Sequence, residues 1–291
     1  MQCVINRRAQ FSANHRYWLP EWDESKNQQA FGLCSRFPGH GHNYVLFVSL
    51  LGEIDQYGMV ENLSTVKQVI KREVTSQLDY AYLNDVWEEF QTTLPTTENI
   101  ARVIWQRLKD HLPIVKIQLF EHPQLWAEYQ GDAMKATLNI QTHFSAAHRL
   151  ARPDLSLEEN TKIYGKCART HGHGHNYHLE VSVSGDIDPR TGMLVDLVAL
   201  QNIVNDYVVE PFDHNFLNKD VPYFAEVVPT AENIALYIAQ LLQQPIRELG
   251  AQLEKVKLIE SPNNSCEIYC GSSTESLNIL SQQAPQLMAL H

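Results

Sequence analysis

The hexapeptide GHGHNY occurs twice, as Gly39-His40-Gly41-His42-Asn43-Tyr44 and as Gly172-His173-Gly174-His175-Asn176-Tyr177, 133 residues apart. Outward from it, other landmarks recur in the same order. FSANHR (11–16) returns as FSAAHR (144–149), and Cys34 returns as Cys167, at the same offset of 133. EIDQYGM (53–59) matches DIDPRTGM (186–193) with one inserted residue. LDYAYLN (78–84) matches FDHNFLN (212–218), and PTTEN (95–99) matches PTAEN (229–233). FEHP (120–123) matches IESP (259–262). A period this long means a duplicated domain rather than a solenoid of short repeats. The join falls near Gly131-Asp132-Ala133-Met134, which gives domains at 1–132 and 133–271. The polar stretch 272–291 has no counterpart and is expected to be a loosely ordered tail.

Both halves follow one pattern of periods. Leu138, Ile140, Thr142, Phe144, Ala146 and His148 alternate with their neighbours, as do His173, His175, Tyr177, Leu179, Val181 and Val183. Alternation is the period of a strand. Leu197, Leu200, Ile203, Val204, Tyr207 and Val208 follow helical spacing, with Asp196 as N-cap. A second helix begins at Pro229-Thr230, and Val256–Glu260 and Glu267–Tyr269 give two more strands. The predicted order is β-β-α-α-β-β in each half: an α+β fold, an antiparallel sheet with two helices on one face.

Composition narrows the function. The formal net charge is −11 and the pI about 5.6, which argues against the basic footprint of a nucleic-acid binder. No stretch is apolar enough for a membrane helix, and the N-terminus lacks a signal-peptide core. The five cysteines are an odd number without the spacing of a disulfide framework, so a reducing cytoplasm is expected.

In a strand, residues i and i+2 share a face, so His173 and His175 present adjacent imidazoles. His148, on a neighbouring predicted strand, supplies a third. Three neutral imidazoles suit zinc and leave a fourth position open, the mark of a catalytic rather than a structural site. A lone His-x-His would be read as two surface histidines. Here His15, His40 and His42 repeat the triplet with the same separations of 25 and 2, so two zincs per chain are expected. Copper or nickel would also accept such ligands.

Cys167 and Cys34 each lie six residues before a triad histidine. Each is a candidate thiolate base or a fourth ligand, against the commoner role of a small buried hydrophobe. Asp213-His214 suggests an acid–base histidine with a carboxylate partner. The first half has Asp79-Tyr80 instead, and a phenol with an ordinary pKa near ~10 is a poor proton shuttle near neutrality. Glu260 and Glu121 end alternating strand segments and are candidate ligand anchors. Thr230 and Glu232, like Thr96 and Glu98, are candidate binding residues that helix capping alone would also explain.

Together FSAAHR, Cys-x5-HGHNY, TGM, DHNFLN, PTAEN and the late Glu resemble the 6-pyruvoyl-tetrahydropterin synthase family, closely in the second half and more loosely in the first. The resemblance implies a tunnelling fold, whose three-unit barrels of twelve strands stack as a hexamer; a trimer of two-domain chains would supply six units. It implies zinc on His148, His173 and His175, and Cys167 as general base. It implies Asp213-His214 as a proton relay across a subunit interface, and Glu260 gripping the pterin ring with Thr230 and Glu232 nearby. The implied reaction converts 7,8-dihydroneopterin triphosphate to 6-pyruvoyl-tetrahydropterin and triphosphate, with Mg2+ accompanying the triphosphate. The runner-up is 6-carboxytetrahydropterin synthase of the queuosine pathway, whose spacing resembles Cys-x3-HGH. A silent zinc- or pterin-binding module is the reading of another class.

Overall fold

The alternation through GHGHNY extends into long strands. In a computed structural model, which describes residues 2–271, β1 is Gln2–His15 and β2 is His40–Glu53. Every second residue of β2 from Tyr44 to Leu50 is buried, and His40 and His42 continue that face toward the strand's start. The site is therefore the polar end of the sheet's core face. The tail expected over 272–291 lies outside the described residues.

The first repeat continues with β3 (Ala81–Tyr82), β4 (Ile114–His122) and β5 (Leu125–Tyr129). The second uses β6 (Lys135–His148), β7 (His173–Asp186), β8 (Gln252–Ser261) and β9 (Asn264–Tyr269). The hydrogen-bonded order is β3-β1-β2-β4-β5 in the first repeat and β6-β7-β8-β9 in the second. β1 and β2 are antiparallel, with His15 opposite His40 and Ala13 opposite His42. Two-residue β3 is the exception, lying parallel to β1.

Two long helices per repeat pack on the sheet, as predicted. Thr97–Leu108 buries Ile100, Val103, Ile104 and Leu108, and Ala231–Glu248 buries Ile234, Ile238, Leu242 and Ile246. Each has a threonine N-cap, Thr96 or Thr230, accepting from the backbone N–H three residues on. The earlier helices, Leu63–Ile70 and Leu197–Val204, pass into π turns at Lys71–Thr75 and Asn205–Val209. Sequence periodicity did not reveal those turns. It also missed the short helices Glu24–Phe31 and Leu157–Tyr164, each capped by an acid or serine and leading into the turn that carries the cysteine.

Contacts divide the chain into two units. One comprises Met1–Asn139 together with Ser184–Val198; the other comprises Ile140–Val183 together with the described residues from Ala199 onward. A loop of the second repeat thus belongs, by contact, with the first. Among the described residues no helix is long and apolar enough to cross a membrane.

Candidate active site

The β1–β2 pairing sets His15, His40 and His42 side by side, and their ring nitrogens and a Glu121 carboxylate oxygen all lie within 4.8 Å of one another. His148, His173 and His175 gather in the same way within the second unit. Backbone fixes which nitrogen faces inward. His15 Nδ1 is 3.1 Å from the Pro95 carbonyl oxygen, and His148 Nδ1 is 2.7 Å from that of Pro229. An Nδ1–H donated to a carbonyl leaves Nε2 as a free lone pair.

Those Nε2 atoms converge. The His15–His40 separation is 3.3 Å and the His148–His173 separation 3.1 Å. Two nitrogens on one tetrahedral zinc stand about 3.4 Å apart, given bonds of roughly 2.0–2.1 Å. The Nε2 atoms of His42 and His175 are buried without a hydrogen-bond partner. A buried orphan acceptor aimed at two others fits a cation between them. Burial, ahead of repulsion from His40 and His42, lowers His15 to about 3, and burial, ahead of repulsion from His122, lowers His42 to about 4. Burial likewise lowers His148 to about 4. His15, His42 and His148 are thereby kept neutral, the form that ligates.

Close backbone approach makes the glycines necessary. Gly172 has φ +65°, and a Cβ there would stand 2.4 Å from the His148 carbonyl oxygen. A Cβ on Gly174 would meet the Ala146 carbonyl at 3.1 Å. The glycine between the histidines thus serves close strand–strand contact.

Cys34 Sγ lies 3.9 Å from His40 Nε2. Burial and the Glu121 carboxylate push its thiol up to about 11, opposite to the depression expected of a thiolate base. Cys167 occupies the equivalent turn, Gly165–Ala168, half-buried.

The two carboxylates stand at the triads. Glu121 is buried, its Oε1 3.3 Å from His42 Nε2, and it accepts a hydrogen bond from Thr97 Oγ1. Burial raises its pKa. Glu260 Oε1 is 3.7 Å from His175 Nε2 and 3.8 Å from His148 Nε2. The hydroxyl beside Glu121 therefore belongs to Thr97, which sequence reading passed over, while the Thr96 hydroxyl caps the helix and donates to the Gly192 carbonyl. The second repeat has Ala231 where Thr97 stands, so Glu260 has no such donor. Glu98 is buried, pushed up to about 7 chiefly by burial, and accepts from the Leu194 N–H at 3.3 Å. Its counterpart Glu232 is exposed.

Asp213 and His214 do cooperate: Oδ2 and Nδ1 are 2.7 Å apart. His214 sits at φ +59° and Tyr80 at φ +58°, a left-handed conformation uncommon outside glycine. Pairing with the first strand holds it. His214 N–H donates to the Ser145 carbonyl, and Asp213 Oδ1 accepts from the Ser145 N–H. Tyr80 and Asp79 repeat both bonds to Ser12. That Ser145 N–H, then His214, holds Asp213 below the usual carboxylate range. Both ring-bearing side chains are exposed, His214 toward a shallow pocket floored by Ser145, Ala147, Gly174 and Asn176. The structure does not bring His214 to Cys167 as hydrogen-bond partners. Also unforeseen were the Pro95 and Pro229 carbonyls that orient His15 and His148; their recurrence in PTTEN and PTAEN was the available signal.

Comparison with known proteins finds the same duplication in the sequence. The family model described as 6-pyruvoyl tetrahydropterin synthase matches residues 4–132 and again 137–270. The 6-pyruvoyl tetrahydrobiopterin synthase of Pongo abelii is 47% identical over 134 residues, 46% of this chain and 91% of that protein. A putative 6-carboxy-5,6,7,8-tetrahydropterin synthase of Archaeoglobus fulgidus is 34% identical over 131 residues, 45% of this chain and 93% of that protein. Among solved structures, the 6-pyruvoyl tetrahydropterin synthase of Caenorhabditis elegans is 37% identical, covering 47% of this chain and 96% of that one, with a TM-score of 0.45. Matched almost from end to end by two successive copies of one family model, the chain belongs to the 6-pyruvoyl tetrahydropterin synthase family, as a tandem duplication.

Proposed function

We propose that the chain is a metal-dependent lyase that converts 7,8-dihydroneopterin triphosphate to 6-pyruvoyl-tetrahydropterin with release of triphosphate. The observation that carries this reading is the second repeat. One unit holds three convergent imidazoles, a carboxylate beside them, the Cys167 turn and a formed Asp213–His214 pair. Relatives 46–47% identical to this chain bear the 6-pyruvoyl name, against 31–34% for the 6-carboxy relatives.

His148, His173 and His175 would hold the ion, zinc by the softness and geometry of the donor set, and His15, His40 and His42 a second one. When bound, a divalent ion supplies Lewis acidity toward side-chain oxygens of the substrate and so acidifies the adjacent C–H. Glu260 accepts hydrogen bonds from neighbouring N–H donors of the pterin ring and fixes its orientation. Thr230 and Glu232 border the same end of the site. Cys167 takes and returns protons on the substrate side chain. His214, held by Asp213, moves the second proton, its exposure suiting a relay delivered to a neighbouring copy. No external redox partner is needed, because hydrogen moves from side chain to ring within one molecule. Magnesium accompanies the triphosphate. The first repeat has the ligands and Cys34 but Tyr80 as relay. The chain works in the cytoplasm as a homo-oligomer, three chains supplying six repeats.

The test is incubation with 7,8-dihydroneopterin triphosphate and identification of products by mass spectrometry. Pyruvoyl product with triphosphate is expected. A carboxy-pterin would move the chain to the other branch, and tight pterin binding without turnover would make it a binding module.

A further inference from the structure

The repeats share their triads but differ in what surrounds the arginine that follows the first triad histidine. Arg16 follows His15 and Arg149 follows His148. Both are fixed by the fold. Arg16 Nε donates to the Ser35 carbonyl at 2.7 Å, and Arg149 Nε to the Ala168 carbonyl at 2.9 Å. Asn84 and Asn218 clamp the two backbones, each accepting from the arginine N–H and donating to its carbonyl. The Arg16 guanidinium is then covered. Its central carbon lies 4.0 Å from the centroid of the Trp18 ring and 5.6 Å from that of Phe37. Aromatic faces at that range hold a cation in place.

In the second repeat the matching positions are Ala151 and Thr170, which have no ring to stack. Arg149 instead lines a cavity of about 300 Å3 with Arg152, Thr170, Asn218 and Lys219. That is the space of about ten waters at ~30 Å3 each, room for a chain of phosphate groups. Charge changes together with shape. Arg152 stands where the first repeat has Leu19, and Lys219 where it has Asp85. Against these cations stand Glu226, in the cavity wall, and Asp154, which pairs with Arg152 in an exposed contact that solvent screens. The cationic surplus reverses locally the sign of a chain whose net charge is −11, and a cleft of one sign concentrates ions of the other. The cavity also adjoins the second triad. Its Phe216 wall packs on Gly172, the residue before His173, where a Cβ would stand 2.9 Å from the ring. Lys219 Nζ is 5.3 Å from the centroid of that ring.

We propose that Arg149, Arg152 and Lys219 form an oligophosphate pocket beside the second triad, whose counterpart in the first repeat is covered by Trp18 and Phe37. Arg149, its plane set through Nε, presents its Nη donors to two phosphate oxygens at once. Arg152 and Lys219 add charge at the mouth. For the identity of its ligand the inference rests on the catalytic reading: the occupant is the triphosphate arm of the pterin substrate. The same chemistry accepts free triphosphate. An arm held there brings the substrate to the second triad, while the first repeat, with equivalent imidazoles, has no such grip. The repeats therefore differ in what they hold as well as in the relay residue.

Inorganic triphosphate is titrated into the full chain by calorimetry, which needs no turnover, so this inference and the catalytic one fail separately. Lys219→Asp and Ala151→Trp install the residues of the first repeat, and the latter changes no charge. One triphosphate per chain is expected to bind, and each variant to weaken it about 10-fold or more, the usual loss of a charged hydrogen-bonded contact. Thermal melts check that the variants fold; should Ala151→Trp not fold, Arg152→Leu takes its place. Triphosphate held by a metal on the imidazoles would survive all three substitutions, since none of them alters a triad histidine. Absence of binding to the wild type, or binding unchanged in Lys219→Asp or in the second variant, overturns the proposal. Competition names the source of the phosphates, measured in Cys167→Ala so that the substrate is not consumed. 7,8-Dihydroneopterin triphosphate is expected to displace inorganic triphosphate, and unphosphorylated 7,8-dihydroneopterin to leave it bound. Displacement by both overturns a phosphate pocket, and displacement by neither overturns the substrate's arm as occupant in favour of the free anion.

Discussion

His148 Nδ1 lies 2.7 Å from the Pro229 carbonyl oxygen, a contact that spans 81 residues and ties the end of β6 to the entry of the helix Ala231–Glu248. It fixes the tautomer that turns Nε2 toward His173. His15 and Pro95 repeat it. The imidazole triad is thus oriented by the same segment, PTTEN or PTAEN, that starts the second long helix.

Because each repeat has its own oriented triad, metal content should fall by one ion per chain in His148→Ala and in His15→Ala, from two to one. Elemental analysis of the dialysed protein checks this. Loss of both ions from a single substitution would mean the sites are not independent.

Gly172→Ala should damage the site more than Gly165→Ala. Both glycines have positive φ, at +65° and +57°, so both substitutions carry a backbone cost of about 1–2 kcal/mol. Only position 172 adds a collision with the His148 carbonyl, since nothing lies within 4 Å at 165. Thermal melts and zinc titrations should show weakened metal binding at 172 alone.

Glu98 should make the first unit less stable as pH rises. Its folded pKa, about 7, lies above the ordinary 4.5, so the folded state holds the proton more tightly. The stabilisation is complete below about pH 4.5 and is lost as pH rises through about 7, a change of about 3 kcal/mol at roughly 1.36 kcal/mol per unit. Glu98→Gln keeps an acceptor for the Leu194 N–H without the charge. Its melting temperature should exceed that of the wild type at pH 8 and converge with it near pH 4. An unchanged difference across that range would contradict the assignment.

The relay should be exchangeable between repeats. Tyr80 and His214 share φ near +58° and the same two serine contacts, so either ring is already accommodated at either place. His214→Tyr should lower turnover by about 10²-fold or more, the usual contribution of a general acid–base group. Adding Tyr80→His to that variant should restore part of the loss. Steady-state kinetics on the three proteins decides it.

The repeats, the strand alternation and the His-x-His spacing made the duplicated α+β fold and both triads legible in the sequence. Alternation places every second side chain on one face, so the clustering of the candidate metal ligands followed from local geometry. The anchors Glu121 and Glu260 were legible as recurrent carboxylates, but their distances to the imidazoles depend on how β4 and β8 align with their neighbours. Thr97 was passed over because capping and ligand contact look identical in PTTEN until the helix is placed.

The sequence by itself determined the strand periods, the paired histidines and the departure at Tyr80, because these depend on residue identity and short-range spacing. Tertiary structure alone decided which backbone carbonyls orient the imidazoles, that burial pushes the Cys34 thiol up, and that a Cβ on Gly192 would meet the Leu94 carbonyl while one on Gly58 would meet nothing within 4 Å among the described residues. Each of those rests on desolvation or close approach between residues about 80 to 100 positions apart, and spacing along the chain carries no record of it.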